Sequence, residues 1–262
     1  MQPKDYQLKC IEQVRRYLEA LSAKKIAYDK IRAIDPSMAG DFAQAIWTDV
    51  TGRMNYAPKK NGLGEPLPNF CLKVPTGGGK TFLACHTIDQ INQHYLKRKS
   101  GFVLWIVPTT QIYRQTLLSL KDRGHSYRQV LDLSSGGRTQ ILEKGDHFTP
   151  QDVQEKLCVM LLMLPSANRV LKETLKIFQD AGGFEAFFPN EDDLKANEEL
   201  LRRFPNLDAF GKPGQAFGRQ VKTSLGNTLR VLQPIVILDE GQKAYSEGAQ
   251  NTINGFNPCM VV

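Results

Sequence analysis

Two hydrophobic patterns divide the chain into helical and extended segments. Between residues 5 and 34, apolar side chains recur every three or four positions, which predicts an amphipathic helix. Short, continuous apolar runs elsewhere predict buried strands. These runs cover residues 70–74, 102–107, 129–133, 157–164 and 235–238. The run at 157–164 also fits a buried helix, because periodicity alone does not separate the two structures.

Helical patterns and loop signals lie between these runs. Helices are predicted at residues 80–95, 111–120 and 166–204, the last interrupted by the triplets AGG and FPN. Strands that alternate with helices predict an α/β fold with a mainly parallel sheet and helices on both faces. Segments 52–68 and 205–218 are rich in Gly and Pro and are predicted to be loops. We expect a helical N-terminal segment with a loop insertion over residues 1–68, and a further insertion within residues 180–230.

Composition and charge narrow the class of protein. A length of 262 residues suits one large α/β domain or two small ones. No apolar run approaches the roughly 20 residues of a transmembrane helix, and the N-terminus lacks the apolar centre of a secretory signal. Five scattered cysteines without a C-x-x-C pair predict buried, reduced thiols rather than a zinc site, and so a cytoplasmic protein. The net charge of +7 is consistent with a polyanionic partner such as nucleic acid.

The sequence KVPTGGGKT at residues 73–81 is the strongest candidate for chemistry. Its glycines let backbone N–H groups turn toward an anion, and the predicted helix that follows adds partial positive charge at its N-terminus. We expect Lys80 to contact nucleotide phosphates and the Thr81 hydroxyl to bind Mg²⁺. The other predicted contacts in this loop are Thr76, Gly77, Gly78 and Gly79. Val74 stands where the strict phosphate-loop pattern has its first glycine.

A pair of acidic residues follows the last long apolar run. Asp239 and Glu240 come directly after the predicted strand at 235–238. A buried carboxylate is costly unless it meets a cation, and a nucleotide-bound Mg²⁺ held through Asp239 would provide one. Glu240 would then orient or deprotonate the attacking water.

The two motifs together, VPTGGGKT and ILDEGQK, resemble those of superfamily 2 helicases. The DEGQ form, rather than DEAD or DEAH, makes the chain similar specifically to the restriction subunit of type III restriction enzymes. This resemblance implies a RecA-like P-loop NTPase fold and the first domain of a two-domain motor that uses ATP and Mg²⁺.

The resemblance also implies roles for residues outside the two motifs. Gln7, in the pair Tyr6-Gln7, matches the glutamine that contacts adenine. Gln242 matches the position that couples the γ-phosphate to motion. The segment VPTTQ follows a predicted strand as the family's nucleic-acid-contacting motif does, and its candidate contacts are Pro108, Thr109 and Gln111.

The implied activity is ATP-driven movement along DNA. The implied partners are DNA, a second RecA-like domain that supplies an arginine, and a methylation or specificity subunit; no membrane is expected. No S-A-T motif follows the acidic pair, so we expect the chain to be truncated before the second motor domain and to hydrolyse ATP poorly by itself. Two alternatives stay open: an RNA or DNA-repair helicase with the same motor, and a nucleotide-binding interaction module without turnover.

Overall fold

A parallel sheet forms the centre of the computed structural model, which describes residues 3–52, 55–75, 77–163, 179, 182–212, 218–240 and 247–262. In chain order the strands are β1 (Gly101–Val107), β2 (Thr139–Leu142), β3 (Leu157–Met163), β4 (Ala209–Phe210), β5 (Gln220–Val221), β6 (Ile235–Leu238) and β7 (Met260–Val261). Five of them form one sheet of order β2-β3-β1-β6-β7, in which neighbouring strands are parallel. β4 and β5 form a separate antiparallel pair.

Helices surround this sheet. Those in the described part of the chain are α1 (Asp5–Ile34), α2 (Phe42–Thr51), α3 (Lys80–Gln90), α4 (Thr110–Lys121), α5 (Ser126–Ser135), α6 (Pro150–Glu155), α7 (Leu194–Arg203), α8 (Leu225–Leu232) and α9 (Glu247–Gly255). A π-helical turn, Ile91–Leu96, continues α3. Short 3₁₀ turns lie at Pro36–Met38 and Glu185–Phe187.

The middle strand β1 has a parallel neighbour on each side and is buried on both faces. All seven of its residues are buried, as expected for a strand with helices over both faces. Trp105 pairs with Leu161 of β3 on one side and with Ile237 of β6 on the other. Alternate β1 side chains enter two cores, one shared with α1 and α3 and the other with α8 and α9. The predicted α/β fold is therefore confirmed.

One predicted strand is wrong, because residues 129–133 belong to the helix α5. The buried residues of this helix are Arg128, Leu131, Ser134 and Ser135, which recur at helical spacing and share one face. His125 accepts a hydrogen bond from the N–H of Tyr127 at the start, and Gly136 ends the helix with a φ of 65°. The short apolar run therefore reflects one buried helix face.

A second predicted strand, at residues 70–74, is also not formed. Its first residue, Phe70, lies at the edge of the sheet beside β7, where its N–H donates to the carbonyl of Val261 at 3.2 Å. Pro68 and Pro75 bracket the segment and supply no N–H donors of their own. The preceding residue, Asn69, makes an isolated bridge with Val261, and the segment itself leads into the glycine-rich loop.

The other predicted elements differ in how well they match. The helix at 5–34 and the strands at 102–107, 157–164 and 235–238 are confirmed as α1, β1, β3 and β6. Much of the predicted helical stretch at 166–204 lies outside the described residues, but α7 falls within it. α7, β4 and β5 surround a small apolar cluster of their own, formed by Leu201, Phe204, Leu207 and Val221.

Cysteine burial fits the prediction in part. All five cysteines are free, and Cys85 and Cys158 are buried. Burial raises the pKa of the Cys158 thiol to about 12. The prediction is wrong for Cys71, which is exposed. Across the described part of the chain, every helix is too short or too polar to cross a bilayer.

Candidate functional site

The fold brings the two sequence motifs together at one end of the sheet. Lys80 begins α3, and Asp239 follows β6, anchored by a hydrogen bond of 2.9 Å from its N–H to the carbonyl of Ile106 in β1. Burial raises the pKa of the Asp239 carboxyl, and the positive charge of Lys80 acts on the same carboxyl and opposes part of that rise. Residues 159 positions apart in the chain (239 − 80) therefore share one electrostatic site.

Asp239 is held in a place that disfavours its charge. Burial and the neighbouring Glu240 carboxylate raise the pKa of Asp239, and Lys80 offsets only part of this rise. The buried indole N–H of Trp105 also opposes the rise in the pKa of Asp239. This N–H lies near the carboxyl but makes no hydrogen bond of ordinary length and angle. Asp239 thus keeps an uncompensated electrostatic cost.

This cost fits a cation at the acidic pair. Two adjacent carboxylates and the Thr81 hydroxyl at the start of α3 are oxygen ligands of the kind that Mg²⁺ takes. A divalent cation shared with phosphate oxygens would offset the charge that burial disfavours at Asp239. Glu240 has a φ of 52°, in the left-handed region that few non-glycine residues occupy, so its backbone is held in an uncommon turn.

The glycine-rich loop needs each of its glycines for a definite reason. Gly77 and Gly79 have φ values of 75° and 76°, which side chains rarely tolerate. A Cβ at Gly78 would lie 2.6 Å from Cγ1 of Val74 and 2.9 Å from the carbonyl of Pro75. The N–H of Gly78 donates to that same carbonyl at 2.9 Å, which closes a tight turn.

Backbone donors gather at the end of this loop. Gly79 is the N-cap of α3 and has no side chain to cap the helix. The N–H groups at the end of the loop donate no hydrogen bond to any residue in the described segments. They belong to Gly79, Lys80, Thr81 and Phe82. With the Lys80 ammonium beside them, they form the donor set that a helix N-terminus offers to an anion.

The start of α1 lies directly against this loop. The hydroxyl of Tyr6 donates to the carbonyl of Gly78 at 2.7 Å, and Nε2 of Gln7 donates to the same carbonyl at 3.0 Å. Oε1 of Gln7 accepts from the N–H of Lys4 at 2.9 Å, and Gln7 is only 4% exposed. Sequence analysis proposed Gln7 as a base contact and missed Tyr6, although the two are adjacent.

A groove opens beside the same contact. Its volume is about 500 Å³, and Tyr6, Lys9, Lys73 and Pro75 are among the residues that line it. The volume falls within the range of about 300–1,000 Å³ typical of small-molecule sites. Two predicted nucleotide contacts, Thr76 and Gln242, lie outside the described residues.

The predicted nucleic-acid contacts occupy the same end of the sheet. They follow β1, whose carboxyl end lies beside that of its parallel neighbour β6. Thr109 is the N-cap of α4, and its hydroxyl oxygen accepts from the N–H of Ile112 at 3.3 Å. Thr109 and Gln111 are exposed and Pro108 is half-buried, so these residues form a surface next to the candidate site.

A comparison with known protein families identifies the family of this chain. The family model described as "Type III restriction enzyme, res subunit" matches residues 1–262. The chain belongs to this family. No curated protein and no solved structure matches the chain. The mainly parallel sheet fits the α/β, RecA-like fold of this family, whose domain is a helicase-like ATPase motor.

Proposed function

We propose that this chain is the ATP-binding and hydrolysing motor domain of a DNA translocase or helicase, as part of a restriction subunit. The observation that carries the proposal is that Lys80, at the head of α3, lies near enough to Asp239, at the carboxyl end of β6, for its charge to act on the carboxyl. In open parallel sheets, ligands bind outside the carboxyl ends of the strands. A phosphate held at the α3 N-terminus would lie between the lysine and the acidic pair.

Each residue of this site has a proposed role. The loop from Thr76 to Gly79 would wrap the phosphates with its N–H groups, and Lys80 would neutralise the β- and γ-phosphates. Thr81 and Asp239 would hold Mg²⁺, which supplies charge stabilisation to the transferred phosphoryl group. Glu240 would orient the attacking water and accept its proton.

Two glutamines complete the proposed nucleotide contacts. Gln242 would sense the γ-phosphate. The groove beside Tyr6 is the proposed place for the base. To contact adenine, Gln7 would have to share or exchange one of its two present hydrogen bonds, because both ends of its amide are engaged.

Nucleic acid is the polymer along which this motor is proposed to move. Pro108, Thr109 and Gln111 form a surface near the nucleotide site, where backbone and polar side-chain groups would meet phosphates. The net charge of +7 favours a polyanion but does not distinguish DNA from RNA. Membership of the res-subunit family favours duplex DNA.

Two partners are proposed, one that acts at the nucleotide and one that acts on the DNA. A second RecA-like domain would close over the nucleotide and bring an arginine to the γ-phosphate, an effect that can be large in rate. A methylation or specificity subunit would select the DNA site. ATP hydrolysis would then be coupled to movement by opening and closing between the two motor domains.

Lys80→Ala tests the nucleotide site directly. The loss of a charge-assisted contact to phosphate is expected to weaken ATP binding at least about tenfold. Lys99→Ala is the matched control, because Lys99 is exposed and precedes β1 at the opposite end of the sheet. Equilibrium binding of a fluorescent ATP analogue in the presence of Mg²⁺ measures both variants. Equal affinity of Lys80→Ala and the wild type would contradict the proposed site.

A further inference from the structure

The carbonyl of Gly78 receives two side-chain hydrogen bonds from a helix that begins about 70 positions earlier in the chain. The Tyr6 hydroxyl donates at 2.7 Å with a sequence separation of 72, and Gln7 Nε2 donates at 3.0 Å with a separation of 71. Two donors on one carbonyl fix the direction in which that carbonyl points. The first turn of α1 therefore determines the orientation of one peptide in the phosphate loop.

That orientation has a consequence for the neighbouring N–H group. A trans peptide is planar, so its C=O and its N–H point in opposite directions. When the Gly78 carbonyl faces α1, the N–H of Gly79 in the same peptide faces away from α1. This N–H donates no hydrogen bond within the described residues, and it adjoins the free donors of Lys80 and Thr81.

The loop has little room for another arrangement. A Cβ on Gly79 would lie 2.6 Å from Nε2 of Gln7, which shows how closely α1 approaches the backbone there. Gly79 can hold its φ of 76° because it lacks a Cβ, but the same lack of a Cβ means that the residue type alone does not fix this conformation. The two side-chain donors from α1 supply a further restraint.

We infer that Tyr6 is a positioning residue of the phosphate site: with Gln7, it holds the Gly78 carbonyl so that the Gly79 N–H faces the bound phosphate. The inference rests on the proposed nucleotide site and deepens it. Tyr6 itself touches no phosphate in this arrangement. Its hydroxyl acts through the Gly78–Gly79 peptide.

Tyr6→Phe tests this role because it removes only the hydroxyl. Tyr6 is 43% exposed, so the change leaves the core intact. Tyr17→Phe is the matched control on the same helix, since the buried Tyr17 hydroxyl has no hydrogen-bond partner in the described structure. Binding of ATP and of inorganic tripolyphosphate is measured by titration calorimetry for both variants, with thermal unfolding as the check of fold.

The expected result is a parallel loss for both ligands. Tyr6→Phe should weaken ATP and tripolyphosphate by the same factor, roughly three- to tenfold, while Tyr17→Phe matches the wild type. A loss for ATP alone would mean that the Tyr6 hydroxyl acts on the base and not on the phosphate loop, and it would overturn the inference. So would a Tyr6→Phe variant that binds both ligands as the wild type does.

Lys80→Ala separates this inference from the proposed function. If Lys80→Ala loses both ligands while Tyr6→Phe keeps them, the nucleotide site stands and the positioning role fails. If Lys80→Ala keeps both ligands, the proposed site itself fails, and with it the inference.

Discussion

Asp239 is the residue at which stability and the proposed function oppose each other. Its carboxyl is buried beside Glu240, and both effects raise its pKa above the ordinary aspartate value, with Lys80 in partial opposition. A group whose pKa is raised on folding favours the folded state when protonated and costs stability when ionised. Without a bound cation, the chain therefore bears this cost at neutral pH.

Asp239→Asn is accordingly expected to stabilise the ligand-free chain at pH 7, by on the order of 1 kcal/mol. The gain should shrink as pH falls through the raised pKa of Asp239, and it should vanish below the ordinary pKa of aspartate, where the wild-type carboxyl is protonated in both the folded and the unfolded chain. Asp192→Asn, at an exposed aspartate, is the control. Urea unfolding at several pH values measures the effect. A destabilised Asp239→Asn variant at pH 7 would contradict this electrostatic account.

Single residues were predictable from the sequence where a motif fixes both type and spacing. Lys80, Asp239 and the three glycines were identified in this way, and the structure brings them to one end of the sheet. Tyr6 could not be found by the same means, because its contact with Gly78 exists only after α1 packs over the loop. Nothing in the local sequence around Tyr6 encodes a partner so far along the chain.

Elements were predictable where the hydrophobic pattern is long or complete. The 30 residues of α1 and the fully buried β1 follow directly from periodicity and from continuous apolar runs. The short run at 129–133 was misassigned, because five residues with apolar positions on one side fit a strand and a helix equally well. Its helical state depends on the cap at His125, the left-handed Gly136 and the burial of Arg128.

The α4 helix combines a structural role and a proposed binding role in adjacent residues. Thr109 caps the helix through its side-chain oxygen, so Thr109→Ala should cost about 1 kcal/mol of stability. Gln111 is exposed and caps nothing, so its removal tests binding alone. We expect Gln111→Ala to weaken duplex-DNA binding roughly three- to tenfold with unchanged thermal unfolding.

Fluorescence anisotropy with a labelled duplex measures this loss. Gln44→Ala, at an exposed glutamine of α2, is the control for a general surface effect. If Gln111→Ala and Gln44→Ala bind DNA alike, the surface after β1 is not the proposed DNA-binding surface. Thr109→Ser should retain the cap and separate stability from binding at the neighbouring position.

In the whole molecule, the order of the strands brings together loops that no single sequence motif links. The parallel order β3-β1-β6 places the loops after β1 and β6 side by side, so the proposed DNA surface and the acidic pair share one end of the sheet. The sequence predicted a parallel sheet but not the order of its strands, because strand order depends on long-range packing. The position of Asn69 and Phe70 at the edge of the sheet, beside β7, is a second feature of this kind.

Steady-state ATP hydrolysis by the full-length protein, measured without nucleic acid, with duplex DNA and with RNA, decides whether this protein is a DNA-stimulated motor. Glu240→Gln is the paired variant, since it keeps the shape of the side chain and removes the proposed base. We predict that duplex DNA stimulates the wild type and that Glu240→Gln still binds ATP but does not turn it over. Stimulation by RNA in place of DNA would favour an RNA helicase. Equal hydrolysis by the wild type and Glu240→Gln, with no stimulation by either nucleic acid, would contradict the account.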